Sequence, residues 1–113
     1  MHELSITQSI MSIALEQASA AKVNRITKIN VTIGELTGIV DECVQFYFEI
    51  ISRDTIAAGA SLSFERPPAK LRCRQCAAEF SPGESEWLCP TCQQPNVEIV
   101  SGRECYVSSL EVE

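Results

Sequence analysis

The run from Cys73 to Cys92, CRQCAAEFSPGESEWLCPTC, holds two Cys-x-x-Cys pairs, Cys73/Cys76 and Cys89/Cys92, with 12 residues between them. Such spacing lets two tight turns face each other and close four thiolates around one ion. Zinc has no ligand-field preference, so four soft thiolates hold it tetrahedrally at about 2.3 Å, and a site with every position filled leaves no place for a substrate. The expected chemistry is therefore structural Zn(II) binding by Cys73, Cys76, Cys89 and Cys92. Iron in a rubredoxin-like site, or a redox-active dithiol pair, are the other chemistries that the same thiols allow. Pro90, just inside the second pair, pre-sets a turn there.

The other chemically able segment is the N-terminus. The chain has one histidine, His2. The α-amine of Met1, the amide nitrogen of His2 and its imidazole lie close enough along the chain to chelate one ion in adjoining rings. Nitrogen-rich, square-planar coordination suits Ni(II) or Cu(II). Met1 is expected to be retained, because the initiator is normally removed only before small residues and His2 is large. The plain alternative is an exposed terminal histidine without a role, and Glu3 has a plain role too, as an anion at the positive end of a helix. Beyond His2 no histidine exists to pair with a serine or cysteine, and no glycine-rich phosphate loop is present, so the protein is expected to be neither a nucleotide hydrolase nor another enzyme.

Composition narrows the classes further. The 113 residues carry 9 basic against 15 acidic side chains, a net charge of −6. Nucleic-acid binding draws most of its affinity from phosphate neutralisation and calls for a basic face. Lys70, Arg72 and Arg74 cluster beside the first thiol pair, but Glu79, Glu84, Glu86 and Glu98 surround them, and no nucleic-acid partner is expected. No stretch approaches the ~20 apolar residues that span a bilayer, and the N-terminus lacks the pattern of a signal peptide. The expectation is a cytoplasmic protein with no membrane partner, where thiols stay reduced and available to metal.

The elements that must position these groups can be read from periodicity. Residues 3–21 form an amphipathic helix, with Ser5, Gln8, Ser9, Ser12, Glu16 and Ser19 on one face and Leu4, Ile10, Met11, Ile13, Ala14, Leu15 and Ala18 on the other. Residues 25–33 read as a strand with Ile29, Val31 and Ile33 inward. Gly34 and Gly38 bracket a turn, after which Asp41 is expected to cap a second helix reaching residue 52. Its buried side would be Cys43, Val44, Tyr47, Phe48, Ile50 and Ile51. A short strand at 61–66 ends at Pro67-Pro68. Strands at 97–100 and 104–112 follow, the latter with Tyr106, Leu110 and Val112 on one face and expected to pair with 61–66. Cys43 and Cys105 read as core residues.

These elements predict an α+β fold: two helices packed on a three-stranded mixed sheet, with an inserted four-cysteine zinc-ribbon module. The first two strands should be parallel, joined by a right-handed crossover. The expected domains are 1–68 plus 103–113, which would bind nickel, and 69–102, which would bind zinc. The module offers only Leu71, Phe80, Trp87, Leu88, Val97 and Ile99 as core, so metal is expected to hold it folded.

Met1-His2-Glu3 directly before a helix, Ile33-Gly34-Glu35-Leu36 after the first strand, Phe46-x-Phe48-Glu49 in the second helix and the two Cys-x-x-Cys pairs in the last third occur in one order. Together they resemble the HypA/HybF family of hydrogenase nickel-incorporation proteins over essentially the whole chain. The resemblance implies a metallochaperone that binds transferable Ni(II) through Met1, His2 and Glu3 and carries structural Zn(II) on the four cysteines. It also implies a HypB-type GTPase as partner and the large-subunit precursor of [NiFe]-hydrogenase as recipient, with urease served in some organisms. The chain would act as a monomer or homodimer. A zinc-ribbon nucleic-acid-binding or regulatory interaction module stands as the alternative. Partner contact is expected on the exposed side of the first helix.

Overall fold

The computed structural model describes residues 3–82 and 88–113, in the order α1 (Glu3–Ala21), β1 (Ile26–Ile33), a single 3-10 turn (Glu35–Thr37), α2 (Asp41–Ile51), β2 (Ser61–Glu65), β3 (Lys70–Cys73), β4 (Glu79–Phe80), β5 (Val97–Ser101) and β6 (Cys105–Val112). Two sheets of three strands result, β2-β1-β6 and β4-β3-β5. The first carries both helices, and the second carries the cysteines.

β1 is central because it is the most apolar strand: Ile26, Ile29, Val31 and Ile33 are all fully buried. β2 runs parallel along one edge, setting Leu62 beside Ile29 and Phe64 beside Val31. β6 runs antiparallel along the other edge, with Leu110 opposite Ile29 and Val107 opposite Val31. The sequence reading paired the last strand with 61–66 instead. Once the β1-α2-β2 unit occupies one edge of β1, the other edge is where Val107 and Leu110 can flank the same buried row. The inserted segment 66–104 is long enough to cross from edge to edge.

Two register shifts in the β1–β6 ladder, one between Asn30 and Val31, interrupt strict alternation. Tyr106 consequently lies opposite Thr32, 53% exposed, and does not share a face with Leu110 as its spacing suggested.

α1 buries Thr7, Ile10, Met11, Ala14 and Ala18 and turns its serine row to solvent. It stops at a left-handed residue, Lys22 (φ 57°), where the Val23 N–H reaches back to the Ala18 carbonyl at 3.3 Å, a helix end normally signalled by glycine. α2 buries a narrower stripe than its composition suggested. Val44 and Phe48, one turn apart, are fully covered, Tyr47 and Ile51 are half-buried, and Cys43 and Ile50 face solvent. Cys105 is exposed as well. Neither extra cysteine is a core residue: α2, an 11-residue helix on a three-stranded sheet, buries one row that leaves Cys43 outside, and Cys105 sits at the exposed start of β6.

Asp41 does not cap α2: the N-cap position is Val40, whose own side chain makes no capping bond. The Asp41 carboxylate instead accepts from Arg66 at 3.1 Å, and the same guanidinium reaches the Ile39 carbonyl.

The sheets are joined where two backbones cross. Gly34 N–H donates to the Glu104 carbonyl at 2.7 Å, Glu35 N–H to Pro67 at 3.0 Å and Leu36 N–H to Gly102 at 2.7 Å. A Cβ on Gly34 would overlap the backbone of Gly102, and Gly102 itself sits at φ 110° with no room beside Ala69 and Leu36. Gly34→Ala should therefore destabilise the protein by roughly 1–3 kcal/mol, the usual cost of overpacking. Gly38→Ala, with φ 73° but open space around it, should lose only about 1 kcal/mol for its left-handed backbone. Denaturant titration of both variants checks the order; a smaller loss for Gly34→Ala would show that the crossing yields easily.

Candidate metal centre

Each Cys-x-x-Cys pair is built as a knuckle with the same backbone pattern. In the first, Ala77 N–H donates to the Cys73 carbonyl and Cys73 N–H to the Ala78 carbonyl, both at 2.9 Å. In the second, Gln93 N–H donates to Cys89 at 2.7 Å and Cys89 N–H to Gln94 at 3.1 Å. Ala77 and Gln93, each directly after the second cysteine, both take the left-handed conformation (φ 62° and 58°). That conformation costs a non-glycine residue about 1–2 kcal/mol, so each turn has to be held by something beyond local preference.

The sequence-predicted ligands come together. The Sγ atoms of Cys73, Cys76, Cys89 and Cys92 all lie within 4.8 Å of one another, with Cys73 to Cys92 at 3.4 Å and Cys76 to Cys89 at 3.5 Å. Sulfurs at the corners of a tetrahedron with metal–sulfur bonds of ~2.3 Å would be about 3.8 Å apart, so the donor set fits zinc with little adjustment. Cys73 and Cys89 are fully buried, Cys92 is half-buried and Cys76 is exposed.

The thiols do not titrate alike. The Cys76 N–H holds the Cys73 thiol below its ordinary value, with the Gln75 N–H helping against burial. The Cys92 N–H does the same more strongly for Cys89, bringing it to about 6. At Cys92 the Gln94 N–H pulls downward, but the neighbouring Cys73 and Cys89 thiols and burial outweigh it and push the group up to about 12. Cys76 is likewise raised: the Ala78 N–H lowers it, and Cys89, burial and Cys73 overcome that. The first cysteine of each knuckle is held below its ordinary value and the second above it. All four can be ionised this close together only around a cation.

The basic residues nearby are already engaged. Arg72 pairs with Glu79 at 3.3 Å and Glu98 at 3.2 Å, Arg74 with Glu98 at 3.7 Å and Lys70 with Glu79 at 4.0 Å. Exposed pairs of this kind add little stability, but they cancel the charge that a phosphate backbone would need. Glu84 and Glu86, expected in the same acidic ring, lie outside the described residues, as does Trp87.

At the other end of the chain, Met1 and His2 also lie outside the described residues. Glu3 is the first residue of α1. Its backbone carbonyl accepts from the buried Thr7 hydroxyl at 2.6 Å, and its carboxylate accepts from the Val40 N–H at 3.2 Å, just ahead of α2. The sequence reading placed Glu3 at a helix start but gave no hint of Val40, because the contact spans 37 residues and depends on how the helices pack. Glu35 was missed in the same way: its carboxylate accepts from the Ala69 N–H at 3.4 Å, at the strand leading to the first knuckle.

A two-helix α+β domain joined to a closed four-thiol module defines a small protein whose resident metal is structural. The chain belongs to the family described as HypA, hydrogenase/urease nickel incorporation, metallochaperone, whose model matches residues 1–112. It is 45% identical over 113 residues to the hydrogenase maturation factor HypA of Dehalococcoides mccartyi, covering 100% of this chain and 95% of that one. It is 44% identical over 114 residues to the HypA of Caldanaerobacter subterraneus subsp. tengcongensis, covering both chains completely. Among solved structures it is similar to the solution structure of the Ni metallochaperone HypA from Helicobacter pylori, with a TM-score of 0.70, 26% identity, and 99% and 97% coverage of the two chains. A second solution structure of a HypA protein matches with a TM-score of 0.77 at 27% identity, covering 100% of this chain and 97% of that one.

With Cys76 raised and Cys92 at about 12, both thiols are protonated at pH 7 in the metal-free site and must lose their protons when zinc binds. Zinc binding at pH 7 should release at least two protons per ion, and affinity should fall as pH drops. Calorimetry in buffers of different ionisation enthalpy counts the protons; release of fewer than two would contradict this charge arrangement.

Proposed function

We propose that this chain is a nickel metallochaperone whose transferable ion is held by the α-amine of Met1, the amide and imidazole nitrogens of His2, and Glu3. The match to the nickel-incorporation family from residue 1 onward carries this reading, since it includes the terminal segment that the sequence singles out on chemical grounds. Zinc would be held by Cys73, Cys76, Cys89 and Cys92, where its chemistry is that of a structural cross-link. Residues 1–68 plus 103–113 would form the nickel-binding domain and 69–102 the zinc module. The recipient would be the large-subunit precursor of [NiFe]-hydrogenase, with urease as a further recipient in some organisms. A HypB-type GTPase in the cytoplasm would be the working partner, and the chain itself would catalyse no reaction.

The chain's own residues suit a transfer role. The terminal α-amine and one imidazole can approach an ion from one side and release it to a stronger site, which a closed four-thiolate cage does poorly. Glu3 ties the start of α1 to Val40, giving the otherwise terminal segment a fixed base. The α-amine and imidazole must be unprotonated to bind and the amide must lose its proton, so nickel affinity should fall as pH drops below ~8, the ordinary α-amine value, and more steeply below ~6.5, the ordinary histidine value.

His2→Ala in an untagged chain should weaken Ni(II) binding by roughly 100-fold or more, beyond what losing a merely supporting residue costs. Zinc content and fold should be unchanged. Nickel titration with parallel metal analysis reads both quantities; wild-type nickel affinity in the variant would sink the proposal.

A further inference from the structure

A groove of about 430 Å³ runs between α2 and the outer edge of β2. Its floor is Leu62 and Phe64, half-buried and turned toward the helix, and its wall is Phe46. Phe46 is 59% exposed, the most exposed large apolar side chain among the described residues, and its ring makes an edge contact only with Tyr47, its chain neighbour. Asp41, Glu42 and Glu49 line the α2 side, and no cation lines the groove. Asp41 is satisfied by Arg66, which leaves Glu42 and Glu49 as its uncompensated charges toward an incoming chain.

β2 is also an edge strand. It pairs with β1 on one side, and among the described residues no other backbone group bonds to residues 61–65. A strand laid along that edge would extend the sheet under α2. Its groove-side residues would fall at alternate positions, the central ones against Phe46, Leu62 and Phe64 and the outer ones within reach of Glu42 and Glu49.

We infer that the β2 edge and its Phe46 groove receive an added β-strand from a partner protein, a segment with apolar residues at alternate central positions flanked by lysine or arginine on the same face. Charge complementarity selects this occupant. A second copy pairing β2 to β2 would bring Glu42 and Glu49 of both chains together around one groove, and like charges so placed repel. The chain's net charge of −6 steers a cationic segment toward it from a distance. The comparable groove between α1 and β6, lined by Ile13, Val107 and Leu110, has serines and Gln17 at its rim and no charge that would name its occupant. The inference uses neither the N-terminus nor the thiols, so it stands or falls apart from the nickel reading.

The test titrates the full-length, zinc-loaded, isotope-labelled protein with a synthetic peptide reading Lys-Thr-Val-Thr-Val-Thr-Lys and with its counterpart carrying glutamate for both lysines. The lysine peptide should shift amide resonances in 42–49 and 61–65, slow hydrogen exchange along β2, and bind at least about tenfold more tightly than the glutamate peptide. The double variant Glu42→Lys, Glu49→Lys, with its fold verified by zinc content and the rest of its spectrum, should reverse that preference. No binding by either peptide, equal binding of the two, a preference untouched by the charge reversal, or concentration-dependent self-association through the same residues would each overturn the inference.

Discussion

The crossing of the Gly34 backbone with that of Gly102 is the constraint on which the rest of the molecule depends. Both chain segments serving the thiol module, 66–70 and 101–105, pass the turn after β1, and three backbone hydrogen bonds from Gly34, Glu35 and Leu36 fasten that turn to them. No side chain fits between the two glycines. The main hydrophobic core, from Ile10 to Ala60, includes no residue of β3, β4 or β5, so this junction rather than a shared core holds the two sheets in register. The turn then continues through Ile39 and Val40 to α2, and Val40 is the residue that Glu3 touches. One short loop thus lies against the base of the zinc module at one end and the base of the N-terminal segment at the other.

The module beyond the crossing has the opposite economy. Ala69, Leu71, Cys73 and Cys89 are its buried apolar residues among those described, too few to hold a sheet by burial alone. Structural zinc supplies roughly 10–16 kcal/mol in peptides of comparable size, more than so small a core can. The two left-handed residues, Ala77 and Gln93, and the staggered thiol titrations are features that a bound dication stabilises and that would otherwise be a burden. Full coordination by sulfur is also why the site suits a scaffold and why the exchangeable ion is proposed to sit elsewhere.

Much of this was legible in the sequence, for specific reasons. The α1 boundaries follow from an amphipathic repeat, although Leu4 and Ile13, read on its apolar face, are exposed, and the parallel β1–β2 pair follows from the handedness of a strand-helix-strand unit. The four thiols announce their own assembly because two turns with fixed spacing leave few other arrangements. What was not legible depended on contacts distant in the chain. The pairing of β6 with β1 rather than β2 was decided by which edge of the central strand remained open. Two register shifts moved Tyr106 to the other face from Leu110, and no local signal marks them. Asp41 looked like a cap until Arg66, 25 residues on, claimed its carboxylate. The exposure of Cys43, Phe46 and Ile50 reflects how little of α2 a three-stranded sheet can cover.

The proposed function divides two metals between two chemically different ends of one chain, zinc to sulfur and nickel to nitrogen. X-ray absorption at both edges, on untagged protein loaded with one zinc and one nickel, tests it most directly. That division requires four sulfur neighbours at about 2.3 Å around zinc and only nitrogen or oxygen neighbours around nickel. Sulfur in the nickel shell, or nitrogen replacing sulfur around zinc, would contradict it.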